Sequence, residues 1–261
     1  MNITLKGKQV AGIELKNCEK LQTLGCFNKN RSDYEQLVGA KIESVISRGV
    51  SLLVKFSGGK NLLLAPEYGG RIIYHPENAA VPDTFHFKMV LADNSAFTVA
   101  LSGFGGVQML SDDLLNVSYI YKRDFSDVPS PSGDEFRFDS FRQGLANKNV
   151  NMKAAIVGTE ALVVGLSNSS FQDILFRAGI HPKRKASDLS KEEAVRLFDT
   201  VRAVVEERIK AGGKNLFVDF YGKPGIYEPN MKGQPCKECG VAVEVISLGG
   251  GQVFFCPKCQ T

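Results

Sequence analysis

The sequence predicts an α+β multidomain chain: an N-terminal antiparallel β-sandwich, a helical domain and a C-terminal β-ribbon clipped by metal. Three observations predict it. Short apolar or alternating runs recur through residues 3–116. The pattern turns helical after a stretch rich in Pro, Ser and Gly. Two C-x-x-C pairs close the chain.

The strand runs are LLVKF (52–56), NLLLA (61–65), RIIYH (71–75), FHFKMVLA (85–92) and AFTVAL (96–101). SGGK, EYGG and ADNS lie between them, and Gly, Asn and Asp supply the backbone conformations that tight turns need. Regular short strands at this spacing are those of a sandwich or barrel. SDVPSPSGDEF (126–136) reads as a linker. Beyond it, LSKEEAVRLFDTVRAVVEERIKAGG carries Ser190 and Glu193 at capping-box spacing. Ala194, Leu197, Phe198, Val201, Val204 and Val205 form one apolar stripe at helical period, and Gly212–Gly213 is the stop.

The closing segment carries the most specific signal. Cys236 and Cys239 are two residues apart in the chain, as are Cys256 and Cys259, with sixteen residues between the pairs. This is four-cysteine zinc spacing, in which each turn aims two thiolates at one tetrahedral ion and leaves no open position for catalysis. VAVEVI, LGGG and QVFF between the pairs read as strand, turn and strand, a ribbon too small for its own core and so dependent on one structural Zn2+. The alternative, two disulfides, needs an oxidising compartment. Cys18 and Cys26 read as ordinary buried or free thiols.

The chain has 261 residues, 43% of them hydrophobic, and no apolar run near membrane-spanning length. MNITLKGKQV has no signal-peptide core, and the expectation is a cytoplasmic protein, nucleoid-associated if bacterial. Residues 1–147 hold 16 Lys+Arg and 16 Asp+Glu, whereas residues 148–261 hold 16 and 12, so the net charge of +4 belongs to the C-terminal part. A basic half suits a polyanion, or is a solvated helical surface. In GLSNSSFQDILFRAGIHPKRKASDLS (165–190), a turn, a helix, a basic patch and the capped helix follow one another. Asn168 opens the first helix, as a phosphate-binding side chain or as a plain N-cap.

GLSNSSFQDILFRAGIHP followed by a terminal PCKECG…FFCPKCQ resembles the formamidopyrimidine-DNA glycosylase/endonuclease VIII family of base-excision repair enzymes. LVGAKIESVISRGVSLLVKF (37–56), VPSPSGDEF and GKPGIY (222–227) are similar to further family segments, so the resemblance covers nearly the whole chain. It implies a β-sandwich over 1–125, a linker at 126–133, a helix–two-turns–helix domain over 134–232 and a zinc ribbon over 233–261. It implies damaged or abasic duplex DNA as partner, gripped by a monomer. Asn168 matches the family's phosphate-binding asparagine, Lys153 is placed like a lysine that contacts phosphate, and Phe104 stands where the family puts a wedge between bases.

The family's chemistry uses an N-terminal proline amine that attacks the sugar C1′, with an adjacent glutamate as acid/base group. The sequence given opens MNITLKGKQVAGIEL, without a Pro-Glu pair or the helix that follows it, so the expectation is that Met1 stands at the start of a strand. Glu14 reads as a surface charge inside that strand. Val50 occupies the place of a catalytic lysine, Ser102 that of an arginine, Ser167 that of a glycine, and Gly251 and Gln252 fill the ribbon turn where a phosphate-gripping arginine is usual. The reading is a damaged-DNA-binding protein with catalysis absent or weakened. The alternatives are an active glycosylase/lyase whose first peptide is missing from the sequence as given, and a zinc-ribbon interaction module.

Overall fold

A computed structural model describes the chain except for Tyr68, Gly103, Phe104, Thr159 and residues 230–233. The chain divides into two compact units, Met1–Ser126 with Asn215–Gly225, and Asp127–Lys214 with Ile226–Thr261.

In the first unit, α1 (Asn2–Leu5), β1 (Val10–Leu15), α2 (Glu19–Thr23) and α3 (Arg31–Glu35) precede the strands β2 (Ile42–Arg48), β3 (Ser51–Phe56), β4 (Lys60–Ala65), β5 (Arg71–His75), β6 (Phe87–Leu91), β7 (Ala96–Ala100) and β8 (Gly106–Ser111); a 3-10 turn, Asp112–Val117, and α4 (Tyr119–Asp124) close it. The strands form two four-stranded sheets, β1-β6-β7-β5 and β2-β3-β4-β8, and every pairing is antiparallel. Val54, Phe56, Leu62 and Leu64 of one sheet share a core with Phe87, Met89, Phe97 and Val99 of the other, which is the sandwich. NLLLA is an unbroken apolar run because both its faces are covered: Leu53 and Leu63 turn outward, against Leu115, Ile120 and Phe125.

The start differs from the sequence expectation. Met1 caps a one-turn helix rather than opening a strand, and the strand begins at Val10. Asn2 Oδ1 accepts from the Val45 amide at 2.8 Å, and Leu5 is fully buried, so side-chain anchoring to β2 and the core winds these residues into a turn. Glu14 lies on β1 as expected, paired with Lys88 and Lys16.

The second unit holds α5 (Phe138–Ala146), α6 (Met152–Ile156), α7 (Asn168–Ala178), a 3-10 turn at Ala186–Asp188, α8 (Lys191–Lys210), β9 (Glu244–Leu248) and β10 (Gly251–Phe255). The Ser190–Glu193 capping box is formed. Ala194, Leu197, Val201 and Val204 are buried against Phe171, Ile174 and Leu175 of α7, with Phe198 and Val205 beside them. At the far end of α8, the Gly213 amide reaches Arg208 O at 2.8 Å and the Gly212 amide reaches Ile209 O at 3.0 Å, a Schellman stop that needs the positive φ of Gly212. β9 and β10 pair as a hairpin, and Val253 of β10 is buried in the same core as the helices.

Two segments bear on how the chain divides. Of the linker stretch at 126–133, the residues from Asp127 onward belong to the second unit, where Pro129 O accepts from the Val164 amide at 3.0 Å and Pro131 is buried. Residues 215–225, expected in the helical domain, belong to the first unit. There the Phe220 carbonyl takes the Tyr74 amide at 2.7 Å, and the Phe220 ring lies 5.5 Å from that of Tyr74. Burial of these aromatics outweighs sequence proximity to α8. No described helix is long and apolar enough to cross a membrane.

Candidate nucleic-acid interface and zinc ribbon

The four ribbon cysteines converge. Their Sγ atoms all lie within 4.8 Å of one another, with Cys236–Cys259 at 3.8 Å and Cys239–Cys256 at 3.5 Å. The edge of a tetrahedron with Zn–S of about 2.3 Å is about 3.8 Å, whereas a disulfide needs about 2.0 Å. The cluster therefore fits one structural zinc and excludes the two-disulfide alternative. Turn amides support it: Gly240 N–H donates to Cys236 O at 2.8 Å and Cys259 N–H to Cys256 Sγ at 3.4 Å. The buried Gln260 accepts from the Cys256 amide and donates to Ile180 O, both at 2.9 Å, which joins the metal clip to the end of the α7 segment. Cys18 and Cys26 are free thiols, and burial, chiefly, raises the pKa of Cys18.

The hairpin turn lies beside the start of α7. Ser167, not Asn168, is the N-cap: its Oγ takes the Ser170 amide at 3.1 Å. The plain-cap reading of Asn168 is thus displaced, because Asn168 is the first helical residue. Its Nδ2 reaches across to Gln252 O at 2.9 Å, and its Oδ1 is buried with no partner among the described residues. Lys153, on α6 behind the capping Asn151, extends to the same turn and donates to Leu248 O at 2.6 Å. Lys153 is only 8% exposed, and that desolvation lowers its pKa. A lysine ammonium has three donors and a primary amide two, so each group retains N–H capacity beyond its bond to the ribbon. The first amides of α7 lie beyond the reach of its internal ladder and carry the positive end of its dipole.

Behind the site, Arg208 of α8 donates to Asp173 Oδ2 at 2.6 Å and to Ser169 Oγ at 3.0 Å, and Tyr227 OH donates to the same carboxylate at 3.2 Å. Asp173 is fully buried, so this pairing fixes the first half of α7 against α8. In the first unit, Val50 shares a turn with Gly49 at φ 61°, and Ser51 Oγ donates to the buried Asp124. Phe104 lies outside the described residues.

Residues 128–218 match the profile of the formamidopyrimidine-DNA glycosylase H2TH domain, and residues 233–261 that of the zinc finger found in FPG and IleRS. A formamidopyrimidine-DNA glycosylase of Desulfitobacterium hafniense is 30% identical over 230 residues, covering 85% of this chain and 82% of the relative. This chain belongs to the formamidopyrimidine-DNA glycosylase family. A second relative of that name, from Streptococcus pneumoniae, is 29% identical over 97% of this chain and 92% of its own length. The fold agrees: Lactococcus lactis Fpg, solved as a complex with DNA containing an abasic site, superposes with a TM-score of 0.84 at 22% identity, over 99% of this chain and 94% of that one.

For this family member, the structure brings Lys153 and Asn168 together at one turn. Their two acceptors, Leu248 O and Gln252 O, leave no trace in the sequence, because main-chain carbonyls carry no side-chain signal. The run of three glycines at 249–251 was the available clue. Gln260 and Arg208 carry no sequence signal either, each being indistinguishable in sequence from a surface polar residue.

Proposed function

We propose that this chain is a damaged-DNA-binding protein of base-excision repair that grips the phosphate backbone of duplex DNA, as a monomer, at the start of α7. The observation that carries the reading is the convergence of Lys153 Nζ and the Asn168 amide at one ribbon turn beside a helix N-terminus. Helix N-termini with adjacent N–H donors suit phosphate. The surplus of basic residues beyond 147 supports the same partner. So do the solved L. lactis Fpg complexes, which contain abasic-site or Fapy-dG DNA. Phe104 is assigned the wedge that probes the base stack, an insertion that costs a few kcal/mol of unstacking.

Gel-shift titration at two salt concentrations tests this. Binding of an abasic duplex should weaken steeply with salt, as phosphate-dominated binding does. Lys153→Ala and Asn168→Ala should each cost about 1–2 kcal/mol, the range of charge-assisted hydrogen bonds. No retardation of an abasic duplex at low salt would end the proposal.

Catalysis is read as absent or weakened in the sequence as given. Glu14, on β1, is paired with Lys88 of β6 and with Lys16, and no Pro-Glu pair stands beside Met1 in the sequence as given. The chain as given should form little borohydride-trappable adduct with abasic DNA. A second reading, an active glycosylase/lyase whose catalytic peptide lies outside the sequence as given, is favoured by Ile3, an apolar side chain on α1 that is 98% exposed. Efficient trapping only by a chain extended with an N-terminal Pro-Glu peptide would select the second reading over the first.

A further inference from the structure

The run of glycines in LGGGQ serves two different needs. Gly249 and Gly250 have φ of 53° and 74°, the paired left-handed conformations of a two-residue type I′ hairpin turn. Gly251 does not share that conformation; it is the first residue of β10, paired with Leu248. A Cβ on Gly251 would stand 3.3 Å from Lys153 Nζ and 3.9 Å from Asn168 Nδ2. The space in front of Gly251 is therefore where the two donors meet. The Lys153 stem passes over Gly249 on the way, where a Cβ would lie 3.2 Å from its Cδ.

The neighbouring carbonyls set the direction of both donors. A free lysine side chain loses rotamer freedom when fixed. Here Leu248 O has already fixed it. Gln252 O does the same for the amide: a flipped Asn168 would set oxygen against oxygen, so this carbonyl turns the NH2 end toward the ribbon and leaves Oδ1 buried without a partner. The hairpin register holds the two carbonyls in place, and the four-cysteine clip lies at the ends of that hairpin.

We infer that the ribbon turn is the positioning element of the phosphate site: Leu248 O and Gln252 O preorient Lys153 and Asn168, and Gly251 has no side chain so that the two donors can converge. This rests on the phosphate-binding reading proposed above. The ribbon turn, LGGGQ, then contributes to binding without a cationic side chain of its own.

The test compares Gly251→Ala, Gly251→Val, Lys153→Met, Asn168→Ala and the Gly251→Val/Lys153→Met double variant, each with zinc content measured. Binding of an abasic duplex is titrated across salt. Valine is compatible with the first position of a strand. The expected result is one zinc per chain throughout. Affinity should fall about threefold for Ala and about tenfold for Val, and the slope of log K against log salt should drop by about one for Val, the equivalent of one lost phosphate contact. In the Lys153→Met background, Gly251→Val should add less than it does alone, because both changes act on the Lys153 ammonium, the donor nearest a Cβ at Gly251. Wild-type binding by both Gly251 variants, with Lys153→Met impaired, would overturn the inference and leave the phosphate reading standing. Additive losses in the double variant would also overturn it. Wild-type binding by Lys153→Met and Asn168→Ala would instead remove the phosphate reading itself. Should Val release zinc, the Ala variant decides: an affinity loss of about threefold with zinc retained supports the inference, and none overturns it.

Discussion

At the scale of single residues, ionic contacts in the first unit set a pH response. Lys8 Nζ reaches Asp93 at 2.7 Å, Tyr74 OH at 2.9 Å and Ser95 Oγ at 3.0 Å. Burial opposes the charge on Asp93, but hydrogen bonds from Lys8 and Ser95 outweigh it and bring the carboxyl down to about 2. Burial likewise opposes the charge on Lys8, and its bonds to Asp93 and Tyr74 outweigh that and raise its pKa. A depressed acid stabilises the fold above its unfolded pKa of about 3.9, and the contribution fades as pH falls toward 2. For the lysine the sign reverses: its contribution is present below about 10.5 and fades as pH rises beyond it. Asp93 is half exposed, so solvent screening limits the pair to about 1 kcal/mol. Urea unfolding of Asp93→Asn should therefore show a loss of that size at pH 6 that closes as pH approaches 2; an unchanged gap at pH 2 would contradict the assignment. Residue-level function was only partly legible in the sequence. Ser167 and Asn168 are both good caps, so the side-by-side pair left the helix start ambiguous by one residue. Lys153 stood out only through family likeness, since a lone lysine on a five-residue helix carries no pattern of its own.

Elements were more legible where local chemistry agrees with tertiary demand. The strands announced themselves because Gly, Asn and Asp punctuate them, and α8 because cap, stripe and stop coincide. The helices α2 and α3, five residues each, were not legible, being too short to show a period. The ribbon was the most legible element, because its ligand spacing is set by metal geometry. Its weakness is equally clear: Val253 and Phe255 are its only residues of β9 or β10 that are buried among those described. Without zinc, thiolate ligation no longer opposes the entropy of the hairpin, although burial of a valine side chain contributes about 1.5–3 kcal/mol. Chelation should thus release β9 and β10 while the helices stay folded, seen as loss of amide protection confined to about residues 236–261. The chain has no Trp, so hydrogen exchange is the suitable probe. Because Lys153 and Asn168 lose their carbonyl partners in that state, chelation should also weaken duplex binding at least as much as Lys153→Ala. Protection of β9–β10 unchanged in zinc-free protein would show that the helical core alone supports the ribbon.

At the scale of the whole molecule, the chain passes between its two units three times: after Ser126, after Lys214 and after Gly225. The first crossing was legible from composition. The other two were not, since residues 215–225 follow a helix and precede a zinc ribbon, and only distant partners reveal where they dock. Those partners are specific. Tyr74 donates its amide to Phe220 O, its ring meets those of Phe220 and Tyr221 at 5.5 and 6.3 Å, and Thr4 Oγ1 lies 2.6 Å from Tyr221 OH. Within the segment, Asp219 Oδ1 accepts the amides of Tyr221 and Lys223, both at 2.9 Å, and so holds the turn that presents the two rings. A strap held in this way ties the units together independently of the peptide link at 126–127. Cleavage at a protease site inserted next to the exposed Ser132 should therefore leave two fragments that co-elute under native conditions. Truncating the partly buried Phe220 removes ring contacts and apolar burial together, a loss of about 2–3 kcal/mol. In the nicked Phe220→Ala protein the 1–132 fragment should elute alone in a measurable fraction, and Tyr221→Phe, which removes only the exposed hydroxyl contact, should not have this effect. Separation of the nicked wild-type fragments without denaturant would show that the strap contributes little and that the covalent linker holds the units together.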